Sequence, residues 1–228
     1  MNKKKIYFIG HHKEWGMIAT DIIARPLAVL VARHTPITAN QISIISFILV
    51  LIGAYFFSLG GYRNILTGAI LAFAYNVLDM MDGQVARERK KSSILGQWLD
   101  GVLGFISFQI LIITLVIGLQ NRLAWLLGII AIISYPTQYT LIYYYKAEIS
   151  PYQEQLPVGL GKWEWLRNIY GLSFFYIFLL FAAIFNKSWW VLAFWAIFGN
   201  IYWMAILFIQ FLELKKQRNN RGKPKVVE

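Results

Sequence analysis

The chain has 228 residues, 58% of them hydrophobic, 17% aromatic and only 14% charged. Soluble domains carry about a quarter charged residues, and the apolar residues here form blocks too long for core helices, so this is an integral membrane protein. Twenty-two Lys and Arg against 11 Asp and Glu give a net charge of +11, and the lack of cysteine excludes disulfides and thiolate metal sites.

In chain order, residues 14–33 (EWGMIATDIIARPLAVLVAR) are apolar but interrupted by Asp21, Arg25 and Pro26. That pattern predicts an amphipathic helix on the cytoplasmic membrane surface, with a buried seventh helix as the alternative. The first span then opens at TANQIS, where Thr38 and Asn40 are both good capping residues. Six spans follow, over 40–59, 64–86, 94–118, 123–145, 166–185 and 188–212. Each is long enough to cross about 30 Å of hydrocarbon at about 1.5 Å per residue. The expected fold is all-α, six transmembrane helices preceded by the surface helix. Residues 1–36 form the N-terminal segment, 37–213 the membrane domain and 214–228 a basic tail.

Charge sets the orientation. With the termini inside, the outer connections hold only Arg63, Arg122 and Lys187, leaving 19 of the 22 Lys and Arg on the inner side. Arg87, Arg89, Lys90 and Lys91 are then cytoplasmic, as is the tail. Attraction to anionic lipid headgroups accounts for this charge better than nucleic acid does.

The informative stretch is LDMMDGQVARERKKSSILGQWLDGVLGF. Acids within a membrane span cost about 2.5–3.5 kcal/mol each at its centre, so three of them call for a shared purpose. Asp79 and Asp82 are three apart and share a helix face, with Gly83 and Ala86 beside them. The hairpin turns near Lys90; Asp79 lies eleven residues before it and Asp100 ten after, at nearly the same depth in an antiparallel pair. Three converging carboxylates repel one another unless a cation neutralises them. Hard divalent cations take such oxygen ligands together with water and phosphates. Arg87 and the nearby lysines supply charge for phosphates. The pattern points to a metal-assisted phosphoryl-transfer site open to the cytoplasm. A structural hydrogen-bonded staple or an ion path would need neither the small residues nor the Ala-Arg pair. A transporter would spread polar residues through the midplane, which this chain does not do.

Asp79-xx-Asp82-Gly83-xx-Ala86-Arg87, eight residues, Gly96, three residues, Asp100 closely resembles the signature of the CDP-alcohol phosphotransferase (CDP-alcohol phosphatidyltransferase) family. TANQIS resembles that family's Thr-Pro-Asn entry to the first span, with Ala39 in place of proline. The resemblance implies transfer of a substituted phosphoryl group from a CDP-linked donor, often CDP-diacylglycerol, to an alcohol acceptor, with release of CMP, in phospholipid biosynthesis. It implies one or two Mg²⁺ or Mn²⁺ ions on Asp79, Asp82 and Asp100. Gly83, Ala86, Gly96 and Asn40 would admit the nucleotide and Arg87 would steady phosphate. Homodimers are common in the family. Lys162 and Arg167 stand where a phosphorylated acceptor could be held, or are ordinary flank charges.

One position departs. The family's fourth aspartate, its general base, falls at Gly104. Two functions stay open on the sequence. One is a transferase whose base comes from elsewhere, such as His34, Glu88 or the acceptor's own phosphate. The other is a catalytically impaired member that binds a CDP-linked lipid or partners an active paralogue.

Overall fold

The computed structural model of the chain describes residues 14–149 and 170–221. Among these there is no strand. The helices are α1 (Trp15–His34), α2 (Ala39–Leu59), α3 (Tyr62–Glu88), α4 (Ile94–Leu119), α5 (Arg122–Tyr144), α6 (Leu172–Ile184), α7 (Trp189–Phe194) and α8 (Asn200–Arg221). A π-helical turn, Tyr145–Ile149, prolongs α5, and another, Trp195–Gly199, joins α7 to α8.

Among the described residues, six helical stretches are long and apolar enough to cross a membrane: α1 to α5, and the joined last helix over Trp189–Lys216. The described part of α6 is a 13-residue apolar helix. The remainder of the expected 166–185 span lies outside the described residues, as do Lys162 and Arg167. The sequence expectation counts α6 as a span and leaves α1 on the surface, whereas length and apolarity alone also admit α1. What α1 touches is more specific. It packs on α3 and α6 through Gly16, Thr20, Ala24 and Ala28, a stripe of small buried residues at four-residue spacing. Ile18, Ile22, Leu27 and Leu30 on its other faces are exposed.

Apolar helices gain little by hiding from lipid, so they associate through close backbone packing and interhelical hydrogen bonds. Glycines make the approach here. A Cβ on Gly118 of α4 would lie 1.9 Å from the Phe57 carbonyl oxygen of α2, and one on Gly68 of α3 would lie 2.8 Å from the Gly53 carbonyl oxygen. Gly199 meets Tyr170 and Ser134 in the same way. Asn200 donates to the Ile130 carbonyl at 3.0 Å. These two residues of the last span pack it against α5.

The short connections α2–α3, α4–α5 and α6–α7 gather at one end. There the Tyr62 hydroxyl donates to the Ile184 carbonyl at 3.2 Å and Gly60 abuts Gly118. The α3–α4 turn, with Lys90 in the left-handed region, lies at the opposite end. Its residues carry the site.

Candidate active site

Three helices frame the site at the motif end. Thr38 caps α2 through a full capping box, accepting from the Gln41 amide at 3.3 Å while the Gln41 side chain accepts from the Thr38 amide at 2.8 Å. Ser93 caps α4 by accepting from the Gly96 amide at 3.0 Å. These caps set where α2 and α4 begin, beside the last turns of α3.

Asp79, Asp82 and Asp100 come together, with one carboxylate oxygen of each lying within 4.8 Å of the other two. Asp82 is buried, Asp79 half-buried and Asp100 exposed. The Ser43 hydroxyl of α2 donates to Asp82 Oδ2, which orients that carboxylate and leaves its other oxygen for a ligand. Oxygens bound to one Mg²⁺ at about 2.1 Å sit roughly 3–4.2 Å apart. The set therefore fits a divalent cation after a small closure, and its all-carboxylate chemistry suits a hard one.

The carboxylates stand between two chambers. The smaller, about 140 Å³, is lined by Asn40, Ser43, Asp82, Gly83, Ala86 and Gly96, with Lys91, Ser92 and Ser93 from the α3–α4 turn. Gly83 and Gly96 keep it open. A Cβ at Gly83 would meet the Arg87 guanidinium at 3.3 Å, and one at Gly96 would meet Asn40 Oδ1 at 3.2 Å. The larger, about 630 Å³, is lined by Asp79, Gly101, Gly104, Phe105 and the tyrosines 135, 139 and 143 of α5, together with Glu14 and Ser173. Arg87, Gln97 and Asp100 border both.

Arg87 and Arg89 are two residues apart and serve different ends. Arg89 is committed to structure. Its guanidinium donates to the carbonyls of Val31, Ala32, Thr35 and Ile37 at 2.6–3.1 Å, closing the C-terminal end of α1. Arg87 alone of the two faces the chambers. Asn76, one turn before Asp79, donates to Thr20 of α1 at 2.9 Å and so joins helices instead of lining a chamber.

The two side chains considered from sequence as replacement bases lie away from the chambers. Glu88 pairs with Arg33 at 3.4 Å, and His34 Nδ1 lies 3.0 Å from the Leu30 carbonyl, both at the exposed end of α1. Sequence spacing gives no sign of three other lining groups: Ser43, Glu14 and the α5 tyrosines. Each comes from a helix distant in the chain. Only the four-residue spacing of the tyrosines hints at a shared face.

These features define a class: a polytopic helical membrane protein with a carboxylate cluster at one end, flanked by an arginine and two glycine-lined openings. The chain belongs to the CDP-alcohol phosphatidyltransferase family, whose model matches residues 36–198. It is similar to the bifunctional IPC transferase and DIPP synthase of Rubrobacter xylanophilus, 36% identical over 90 residues, which is 40% of this chain and 20% of that protein. The protein of the same name from Aquifex aeolicus is 35% identical over 83 residues, 36% of this chain and 18% of that one. The matches thus span about a fifth of the length of these relatives.

Proposed function

We propose that the protein transfers a phosphatidyl-type group from a CDP-linked donor to an alcohol acceptor and releases CMP, as a step of phospholipid synthesis. The observation that carries this reading is the mutual approach of Asp79, Asp82 and Asp100 beside Gly83, Gly96 and Arg87 in a chain of this family. Inositol phosphate, glycerol 3-phosphate, serine and amino alcohols are the acceptors to be compared.

Asp79, Asp82 and Asp100 would hold Mg²⁺ or Mn²⁺, which when bound offsets carboxylate repulsion and draws charge from the phosphoryl oxygens. The remaining work falls to side chains of this chain. Ser43 fixes Asp82. The smaller chamber admits cytidine and diphosphate, because Gly83, Ala86 and Gly96 project little into it and Asn40 supplies an amide at its wall. Arg87, bordering both chambers, binds the diphosphate and holds the transferring phosphorus against the larger one. The larger chamber receives the acceptor. The acceptor oxygen attacks phosphorus, the bond from phosphorus to the CMP oxygen breaks, and CMP leaves with that electron pair.

The positive-inside bias supports a cytoplasmic site and cytoplasmic termini. The docking of α1 on the motif half of α3, with an apolar outer face carrying Arg25 and Pro26, supports its placement at the membrane interface. A reading in which the protein binds CDP-lipid without turnover rests on Gly104, which puts no carboxylate one turn beyond Asp100.

The test is incubation of the lipid-reconstituted protein with CDP-diacylglycerol, Mg²⁺ and a mixed pool of acceptors, followed by mass analysis. A new phospholipid in step with CMP supports the transferase, and its mass names the acceptor. CDP binding without any CMP release supports the binder.

A further inference from the structure

The larger chamber holds a third carboxylate beside those of Asp79 and Asp100, that of Glu14. Glu14 immediately precedes α1, makes no side-chain cap to it, and lines the chamber together with Asp79, Asp100 and Gly104. It is held there from two sides. Gly16, one half-turn on, packs so closely on α6 that a Cβ would lie 2.3 Å from the Phe174 amide nitrogen. The Glu14 carboxylate itself occupies the space over Gly171, the residue that precedes α6, where a Cβ would fall 1.5 Å from Oε2. On α4, Gly104 is buried, and a Cβ there would meet only Leu172 Cδ1 at 3.5 Å, an ordinary contact. The cavity therefore has room for a second α4 carboxylate at position 104, carries none there, and receives one from Glu14, the residue before α1.

Resting on the transferase reading above, we propose that Glu14 is the general base of this protein. It accepts the proton of the acceptor hydroxyl in the larger chamber as the acceptor oxygen bonds to phosphorus and CMP departs. The proton then passes from Glu14 to water, so the reaction yields the transfer product, CMP and one proton. Glu14 thereby takes over from α1 the task that a side chain at position 104 would perform from α4. The packing of Gly16 on α6 and of the Glu14 carboxylate over Gly171 acquires a purpose, since both contacts place that carboxylate.

The experiment uses full-length protein in lipid, with CDP-diacylglycerol and the mixed acceptor pool. It compares wild type with Glu14→Gln, Gly171→Ala, Gly104→Asp and the double variant Glu14→Gln/Gly104→Asp. Binding of Mn²⁺ and CDP is measured on each by calorimetry and paramagnetic resonance. Glu14→Gln is expected to lower kcat by about 10²–10⁴-fold, the usual worth of a general base, with Mn²⁺ and CDP affinities within about twofold of wild type. Gly171→Ala, whose methyl must displace the flexible carboxylate end, is expected to lower kcat in the same direction. Restoring a carboxylate from α4 in the double variant is expected to recover at least tenfold of the lost turnover. Three results overturn the proposal. Glu14→Gln turns over within threefold of wild type; Glu14→Gln loses CDP and Mn²⁺ binding together with turnover, which marks a structural cap of α6; or only the variants with Asp at position 104 release CMP. Silence of wild type and Gly104→Asp alike overturns the transferase reading itself, and the proposal with it.

Discussion

Ser43 of α2 donates a hydrogen bond to Asp82 of α3, the buried member of the carboxylate cluster. The bond spans 39 positions of sequence and ties the N-terminal part of one helix to the site-bearing turn of another. Residues that orient a ligand in this way commonly govern metal affinity by about 10–100-fold. Ser43→Ala is therefore expected to weaken Mn²⁺ binding by about that factor while leaving CDP binding in the absence of metal unchanged. Titration of Mn²⁺ followed by paramagnetic resonance reads both.

The neighbouring arginines give a contrast. Arg87→Ala is expected to lower CDP affinity by tenfold or more and to leave the melting temperature within a degree or two, because Arg87 faces both chambers. Arg89→Ala removes four hydrogen bonds to carbonyls at the end of α1, of which only that of Val31 keeps the Thr35 amide and hydroxyl as donors, and hydrogen bonds to charged groups are worth about 1.5–3 kcal/mol each. Its melting temperature is expected to fall by several degrees, with CDP affinity little changed in the folded fraction. Thermal melts and CDP titrations on both variants separate the two roles.

The chain has no cysteine, so a single introduced thiol reports sidedness. Lys90→Cys, in the α3–α4 turn, is expected to react with a membrane-impermeant maleimide from the cytoplasmic face only. Lys187→Cys, in the α6–α7 connection, is expected to react only from the opposite face. Labelling of intact and inverted vesicles makes the comparison.

A minimal space test applies to the smaller chamber. Gly96→Val places bulk where a Cβ already lies 3.1 Å from Ser93 Oγ and 3.2 Å from Asn40 Oδ1. It is expected to raise the Kd for CDP at least tenfold while Mn²⁺ binding to the three carboxylates persists. Calorimetric titration of CDP in saturating Mn²⁺ measures it.

Much of this architecture is legible in the sequence, for reasons of periodicity. Asp79 and Asp82 share a face by helical spacing, and the Lys90 turn brings Asp100 level with them, so their meeting follows from local rules. The capping of α2 by Thr38 is equally local. Other features depend on which helices pack together, which spacing does not encode. Glu14 is remote in sequence from Asp100 and Gly104, and it reaches their chamber because Gly16 seats α1 on α6. The division of labour between Arg87 and Arg89 is hidden for the same reason, since only the position of the α1 C-terminus assigns Arg89 to it. A charge run reads as one basic patch until the partner helix is in place. The hydropathy of α1 is ambiguous in its own way, because a helix packed on one side and apolar on the other has the same composition whether it crosses lipid or lies along it.

On the proposed function, Asp79, Asp82 and Asp100 form a metal-dependent transfer centre. The most direct measurement is CMP release from CDP-diacylglycerol by wild type and Asp100→Asn in lipid, with Mg²⁺, with chelator, and with Mg²⁺ restored. The expected result is release by wild type that stops with chelator, returns with Mg²⁺, and falls at least a hundredfold in Asp100→Asn. Release that continues in chelator, or that survives Asp100→Asn unchanged, would contradict it.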